Sequence, residues 1–149
     1  MRNVTKNIFL NSIVCPSLGW LMRHDQVEQI LTIGEKFLME QGNDIERRAR
    51  CIIPEGLLID PKDELSSFEM TKKIIGDKSV PAIFSAFFEI DNFTTKSDIL
   101  IRKDDDSWQM IEVKSSVNDK KEFIDDMAYT TMVMRRFGLN ISGVSLLLV

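Results

Sequence analysis

The sequence predicts an α/β or α+β fold in which helices flank a central mixed β-sheet. Three observations support this class. Apolar residues recur at helical spacing in residues 25–51, three strand-like runs follow one another in residues 81–116, and a second periodic segment leads into an apolar run at 141–149. The predicted order is helix, short strand, helix, three strands, helix and strand, which is typical of helices that cover a mixed sheet.

The first half of the chain is predicted to be mainly helical. Residues 56–60 form the predicted short strand, and residues 63–76 form a helix that ends at Gly76. Before these elements, residues 25–51 predict a helix, interrupted near Gly34, because apolar side chains recur three and four residues apart. These side chains are Val27, Ile30, Leu31, Phe37, Leu38, Ile45 and Ala49.

The second half is predicted to supply most of the sheet. The runs PAIFSAFFEIDNF, TTKSDILIRK and SWQMIEVKSS are strand-like, and the turns DNFT and KDDDS suit an antiparallel meander. A helix is expected after Asn118, with a capping box from Asp119 and Glu122, and it should stop at Gly138. The final run, ISGVSLLLV, predicts a strand that is buried on both faces.

Composition indicates one domain without a general attraction to nucleic acid. The 149 residues are 44% hydrophobic, which is enough for one core, and no repeat or linker divides them. The formal net charge is −4, so any nucleic-acid contact must use local basic clusters. Such clusters occur at Arg47, Arg48 and Arg50, at Lys120 and Lys121, and at Arg135 and Arg136.

The two cysteines and the apolar segments predict the compartment. Cys15 and Cys51 form no CxxC pair and no Cys/His spacing, so we expect neither a zinc site nor a disulfide framework. The first residues lack the apolar core of a signal peptide, and no apolar run is long enough to span a bilayer. We therefore expect a soluble cytoplasmic protein, either complete or a piece of a longer chain.

One group of charged residues suggests chemistry. Glu112 and Lys114 are two residues apart on a predicted strand, so their side chains share a face, whereas the apolar Ile111 and Val113 point the other way. Asp98 lies on the preceding strand, and antiparallel pairing can bring its carboxylate close to Glu112. Adjacent carboxylates repel, and a divalent cation relieves the repulsion. The alternative is an ordinary cross-strand ion pair between Asp98 and Lys114.

An Asp, a hairpin and Glu-x-Lys on an apolar strand resemble the signature of PD-(D/E)XK nucleases. The similarity extends to the RecB-like exonuclease branch and the related CRISPR-adaptation nucleases. These relatives share the Cys-Pro and aromatic of VCPSLGWL, a helical Gly-x-x-x-Glu that matches Gly42 to Glu46, and the segment SSVNDKKEFIDDMAY after the Glu-x-Lys strand. The resemblance covers the chain from Cys15 to the last strand.

The resemblance implies a restriction-endonuclease-like core and a metal-dependent deoxyribonuclease, exonuclease-like in action. Glu46, Asp98, Glu112 and Lys114 are the implied catalytic residues. One or two Mg²⁺ or Mn²⁺ ions would be held by the three acids and the Val113 carbonyl, while Lys114 would orient or deprotonate the attacking water. DNA is the implied substrate, with RNA left open. The residues expected to contact it are Ser115, Ser116 and Tyr129.

Two departures from the family leave a second function open. Thr130 stands where the RecB-like branch has the Gln of Gln-x-x-x-Tyr, and only Cys15 matches the cysteines of the iron-sulfur relatives, so no such cluster is expected. The alternative function is a catalytically degenerate nuclease-fold module that binds nucleic acid or a protein partner. The retained group of acids and lysine favours the enzyme.

Overall fold

The computed structural model describes residues 1–27, 31–60 and 63–149. In this part of the chain, five helices and five strands follow one another, with a short 3-10 turn at Arg50–Ile52 after the third helix. The helices are α1 (Lys6–Val14), α2 (Pro16–Arg23), α3 (Ile33–Ala49), α4 (Glu64–Gly76) and α5 (Lys121–Phe137). The strands are β1 (Leu57–Leu58), β2 (Ala82–Ile90), β3 (Phe93–Arg102), β4 (Trp108–Lys114) and β5 (Ile141–Leu148).

The strands form one mixed sheet in the order β1-β2-β3-β4-β5, which confirms the predicted α+β class. The central strands β2, β3 and β4 form the predicted antiparallel meander, while β1 and β5 pair in parallel with their neighbours. A tight turn joins β2 to β3 through Asp91 and Asn92, whose φ angles of 49° and 65° suit a hairpin. Parallel pairing of β4 with β5 requires the α5 crossover.

The structure corrects the prediction for the last strand. β5 lies at one edge of the sheet and pairs only with β4, among the described strands. Most of its side chains are half-buried or exposed, and Val144 is one of the exposed apolar residues. The prediction that this apolar run is buried on both faces is therefore wrong, because the sequence alone does not show which strand ends the sheet.

The helix boundaries differ from the prediction at two starts. The helix predicted at 25–51 begins at Ile33, where Thr32 and Glu35 form a capping box, and Asp25 has a positive φ of 57°. Residues 28–30 of that prediction lie outside the described residues. The capping box predicted from Asp119 and Glu122 is absent, because α5 starts one residue later, at Lys121, without a side-chain cap.

The helix ends predicted from glycines are confirmed. α4 runs from Glu64 to Gly76, after an N-cap at Asp63, and residues 61 and 62 lie outside the described residues. α5 stops at Gly138, which has a φ of 108° that glycine adopts without a steric penalty. None of the described helices is both long enough and apolar enough to cross a membrane.

The sequence did not predict α1 and α2. Thr5 caps α1 by accepting a hydrogen bond from the Ile8 N–H, and Pro16 occupies the first turn of α2. The segment before α1 is attached to the sheet, since the Val4 N–H donates to the Asn92 carbonyl at 2.7 Å. The N-terminal helices are thus fixed against the sheet beside the β2–β3 hairpin.

Two apolar cores cover the two faces of the sheet. The larger core packs β2, β3 and β4 against α1, α4 and α5, and the smaller core packs the sheet against α3. The larger core includes Ile83, Ala86, Phe88, Leu100, Trp108, Met110, Tyr129, Val133 and Met134. The smaller core consists of Ala49, Phe84, Ile99 and Val113, with Ile45 beside it.

Candidate functional site

The strand β4 places Glu112 and Lys114 on its inner face. Trp108 and Met110 occupy the same face and are buried in the larger core, and the period of the strand continues this face to Glu112. Glu112 is only 1% exposed, and its Oε1 accepts a hydrogen bond from Lys114 Nζ at 2.8 Å. A buried carboxylate that continues an apolar face is unusual, because burial of a charge is costly without close partners.

Asp98 meets β4 where the pairing of β3 and β4 ends. The last paired residues are Ile99 and Ile111, so Asp98 and Glu112 come next in the register. Beyond that point, the carboxylate of Asp98 replaces a backbone acceptor, since its Oδ2 accepts a hydrogen bond from the Val113 N–H at 2.8 Å. The two acids predicted from the sequence are therefore neighbours at the place where the strands separate.

The other neighbour of Asp98 in the sheet is Ser85, which has an irregular backbone. Phe84 pairs with Ile99 and Ala86 pairs with Ser97, so Ser85 is opposite Asp98 but is left out of the ladder. Its φ of 58° is in the left-handed region, which an L-residue occupies only at a cost. A local irregularity of this kind in a central strand is typical of functional sites.

Glu46 approaches Asp98 from α3. The last turn of this helix packs on β4, where Ala49 and Val113 share the smaller core. The side chain of Glu46 is 25% exposed and lies 3.8 Å from the Arg50 guanidinium. Burial, and then the charge of Glu46, raise the pKa of Asp98. All four residues predicted as catalytic, Glu46, Asp98, Glu112 and Lys114, therefore belong to one cluster.

Two further residues of the cluster were not predicted as site residues. Lys6 on α1 places Nζ 2.9 Å from Glu112 Oε1 and 2.7 Å from Asp126 Oδ1. Asp126 on α5 also contacts the ammonium of Lys114 through Oδ2. We call these six residues, Lys6, Glu46, Asp98, Glu112, Lys114 and Asp126, the acid–lysine cluster.

The sequence contained a signal for Asp126 but little for Lys6. Asp126 is three residues after Phe123 and four before Thr130, so an acid lies on the helix face that turns toward the core. Lys6 is 106 residues from Glu112 in the chain, and its role depends on a helix that the sequence did not predict. Only the tertiary contact brings this lysine into the cluster.

The charges of the cluster affect one another strongly. Burial and the charge of Asp98 raise the pKa of Glu112. Burial would lower the pKa of both lysines, but the carboxylates around them outweigh it, so both pKa values lie above the ordinary value. Burial likewise opposes ionisation of Asp126, but Lys6 and Lys114 keep its pKa below the ordinary value. The two lysines thus favour the ionised form of Asp126 enough to outweigh burial, which they do not do for Asp98 and Glu112.

Comparison with protein-family models and with curated protein sequences gave no match to this chain. The resemblance to PD-(D/E)XK nucleases therefore stays a prediction from the motifs. The fold that is shown is a five-stranded mixed sheet flanked by helices, with the acid–lysine cluster where β3 and β4 separate.

The residues predicted to contact substrate lie in different surroundings. Ser115 is exposed just after β4, and Ser116 donates a hydrogen bond to the Asn118 carbonyl at 2.7 Å. Tyr129 is 1% exposed, and its hydroxyl donates to the carbonyl oxygens of Thr94 and Val4. Tyr129 therefore makes structural contacts through its hydroxyl and has little exposed surface, and its contact with substrate stays a prediction.

The carboxylates of the acid–lysine cluster are potential ligands for a divalent cation. Carboxylate oxygens are the ligands that Mg²⁺ and Mn²⁺ prefer, and Glu112 Oε2 is a buried oxygen for which the structure provides no hydrogen-bond partner. The four carboxylates exceed the two ammonium groups, which leaves an excess of negative charge. However, within the described ranges, no three His, Cys, Asp or Glu side chains converge closely enough to hold an ion between them. The oxygens fit such an ion in type and charge, although they do not surround a common point.

Proposed function

We propose that this protein is a divalent-metal-dependent nuclease that hydrolyses phosphodiester bonds in DNA in an exonuclease-like manner. The observation that carries the proposal is the buried Glu112, which has one oxygen without a partner and lies beside Asp98 and Lys114. An apolar sheet rarely retains such a group without a function, because its ionised form is destabilised by burial. A restriction-endonuclease-like core is part of this proposal.

We assign to the side chains the roles that the resemblance implies. Asp98 and Glu112 would hold one or two Mg²⁺ or Mn²⁺ ions, with Glu46 and the Val113 carbonyl as further ligands. When bound, such an ion supplies a Lewis acid that lowers the pKa of a water and offsets charge on the scissile phosphate. The raised pKa values of Asp98 and Glu112 support this role, because they mean that these carboxylates gain from an added positive charge.

Lys114 is the residue that we assign to the attacking water and the phosphate. Its ammonium is 2.8 Å from Glu112 Oε1 and lies 5.6 Å from the centre of the Phe123 ring, with a side chain that remains 22% exposed. A lysine in this position can donate a hydrogen bond to the attacking water and stabilise negative charge that develops on the phosphate. Its raised pKa favours the charged, donating form.

Basic side chains near the cluster can contact the DNA backbone. Arg47 and Arg48 follow Glu46 in the last turn of α3 and are exposed. On the α5 side, Lys120 lies over the same Phe123 ring as Lys114. These local contacts suit a chain whose net charge of −4 offers no general attraction to phosphate.

The test is cleavage of end-labelled single- and double-stranded DNA with Mg²⁺, Mn²⁺ or EDTA, with RNA as a parallel substrate. Lys114→Ala should lower the rate by about 100-fold or more, because it removes a group that stabilises the transition state. Lys103→Ala is the matched control, since Lys103 is exposed in the β3–β4 turn at the far end of β4. Equal rates in the wild type and Lys114→Ala would contradict the assignment.

The second candidate function is a nucleic-acid or protein-binding module that has lost catalysis. The observation that favours it is that no three potential ligands converge in the part of the chain that is described, while two lysines already neutralise part of the carboxylate charge. This module would bind DNA with the same affinity in EDTA and in Mg²⁺ and would cut none of the substrates. Metal-dependent cutting that Lys114→Ala abolishes would exclude it.

A further inference from the structure

The ammonium of Lys6 occupies the space between two carboxylates of the acid–lysine cluster. It lies 2.9 Å from Glu112 Oε1 and 2.7 Å from Asp126 Oδ1. Lys114 contacts the same Glu112 oxygen at 2.8 Å and the second oxygen of Asp126. Two ammonium groups therefore bridge two acids, and Glu112 Oε2 is a buried oxygen that neither ammonium contacts.

The backbone that carries Lys6 is held by hydrogen bonds to the sheet and to α5, whereas its side chain is held at the charged end by ion pairs. The Val4 carbonyl accepts hydrogen bonds from the Thr94 N–H at 2.9 Å and from the Tyr129 hydroxyl, and Phe9 stacks on the Tyr129 ring at 4.8 Å. These contacts hold both ends of the first turn of α1. The Lys6 side chain is 26% exposed, so rotation about its flexible bonds can carry the ammonium toward solvent without moving the helix.

A divalent cation bound to these carboxylates would be a third positive group beside the ammonium groups of Lys6 and Lys114. Two positive groups about 4 Å apart repel strongly in a partly buried site, where water screens them poorly. Lys6 uses only ion pairs at its charged end, and it comes from a different element than Lys114. Lys114 also lies over the Phe123 ring, so Lys6 is the less constrained of the two lysines.

We propose that Lys6 is an internal counter-ion that holds the place of a divalent cation and is displaced toward solvent when the metal binds. This inference rests on the proposed metal site. In the metal-free protein, the ammonium of Lys6 offsets negative charge on Glu112 and Asp126. The metal affinity is lower than it would be without Lys6, because metal binding must break these two ion pairs. The displaced ammonium is then available to a phosphate oxygen of the substrate.

The test compares Mn²⁺ binding by the wild type, Lys6→Met and the control Lys103→Met, measured by calorimetry at neutral pH. Lys6→Met keeps the apolar stem but lacks the competing charge, so we expect Mn²⁺ to bind about tenfold more tightly, or ~1.4 kcal/mol. We also expect Mn²⁺ to raise the melting temperature of Lys6→Met more than that of the wild type, because the metal-free variant has uncompensated carboxylates. Lys103→Met should match the wild type.

The outcomes separate this inference from the proposed function. Equal Mn²⁺ affinity in all three proteins would overturn the role of Lys6 and leave the metal site standing. No binding in any of them would overturn the metal site and this inference together. If Lys6→Met does not fold without metal, the ¹⁵N resonance of the Lys6 ammonium in the wild type decides: a change on Mg²⁺ addition supports displacement, and no change in a protein that binds Mg²⁺ overturns it.

Discussion

Ser85 is opposite Asp98 in the antiparallel register of β2 and β3, and its left-handed backbone interrupts the pairing where Asp98 joins the cluster. At this residue, the alternation of the β2 side chains between the two faces of the sheet shifts by one position. Ile83 and, beyond Ser85, Ala86 and Phe88 belong to the same core, although they do not keep one alternating phase. Asp98 is thus outside the regular pairing with β2, and on the β4 side its carboxylate accepts a hydrogen bond from the Val113 N–H.

We predict that Ser85 tolerates glycine but not a β-branched residue. Ser85→Val should lower the free energy of unfolding by about 1–2 kcal/mol relative to Ser85→Gly, because a φ of 58° is strained for a side chain that branches at Cβ. Urea denaturation of the two variants measures the difference. Equal stability of the valine and glycine variants would show that the left-handed conformation is not held in solution.

We predict that Asp98 is placed for function at the expense of stability. In the metal-free protein, Asp98→Asn should raise the free energy of unfolding, because it removes a buried charge that Glu46 repels while it keeps an acceptor for the Val113 N–H. Asp98→Ala removes the same charge but also the acceptor, so it should be about 1 kcal/mol less stable than Asp98→Asn. Both variants should bind Mn²⁺ more weakly than the wild type, as calorimetry would show. Asparagine less stable than alanine would contradict the prediction.

The difference between the wild type and Asp98→Asn should depend on pH. The folded protein raises the pKa of Asp98, so protonation stabilises the fold, and that stabilisation is lost as the pH rises through the folded-state pKa. The two proteins should therefore be similar in stability below the ordinary aspartate pKa and should diverge, with asparagine the more stable, as the pH rises toward neutral. Thermal melts across this range in EDTA would detect the divergence, and a constant difference would count against it.

We predict that Tyr129 acts through the position of α1. Tyr129→Phe keeps the ring that stacks on Phe9 but removes the hydroxyl that donates to Thr94 and Val4, so the free energy of unfolding should fall by about 1 kcal/mol. DNA affinity should stay unchanged, since the residue is enclosed. Chemical denaturation and a binding titration test the two parts, and a selective loss of DNA affinity would support the substrate contact predicted from the sequence.

The sequence predicted most of the sheet because the responsible signals are local. Glu112 and Lys114 were placed on one face by the period of a strand, and Gly138 marked the end of a helix through its backbone freedom. The position of β5 at the edge could not be predicted, because strand order depends on contacts between distant segments. The short helices α1 and α2 were missed for a related reason, since such helices depend on tertiary packing.

In the candidate site too, contacts between segments close in the chain could be predicted, and contacts between distant segments could not. The proximity of Asp98 and Glu112 could be inferred from a hairpin, since a short turn limits the register of two strands. The contact between Lys6 and Glu112 has no such local constraint. Glu46 was found only through the resemblance to a nuclease motif, and the structure brings its charge near Asp98.

The parallel pairing of β4 with β5 affects how the protein folds. The hairpins among β2, β3 and β4 join segments that are close in the chain, whereas β5 reaches β4 only after α5 has crossed the sheet. Lys6 and Glu112 are separated by 106 residues, so closing this contact costs more chain entropy than closing a hairpin. A chain that has formed only its meander would lack the assembled cluster, so the proposed cleavage activity should return during refolding with the slowest phase.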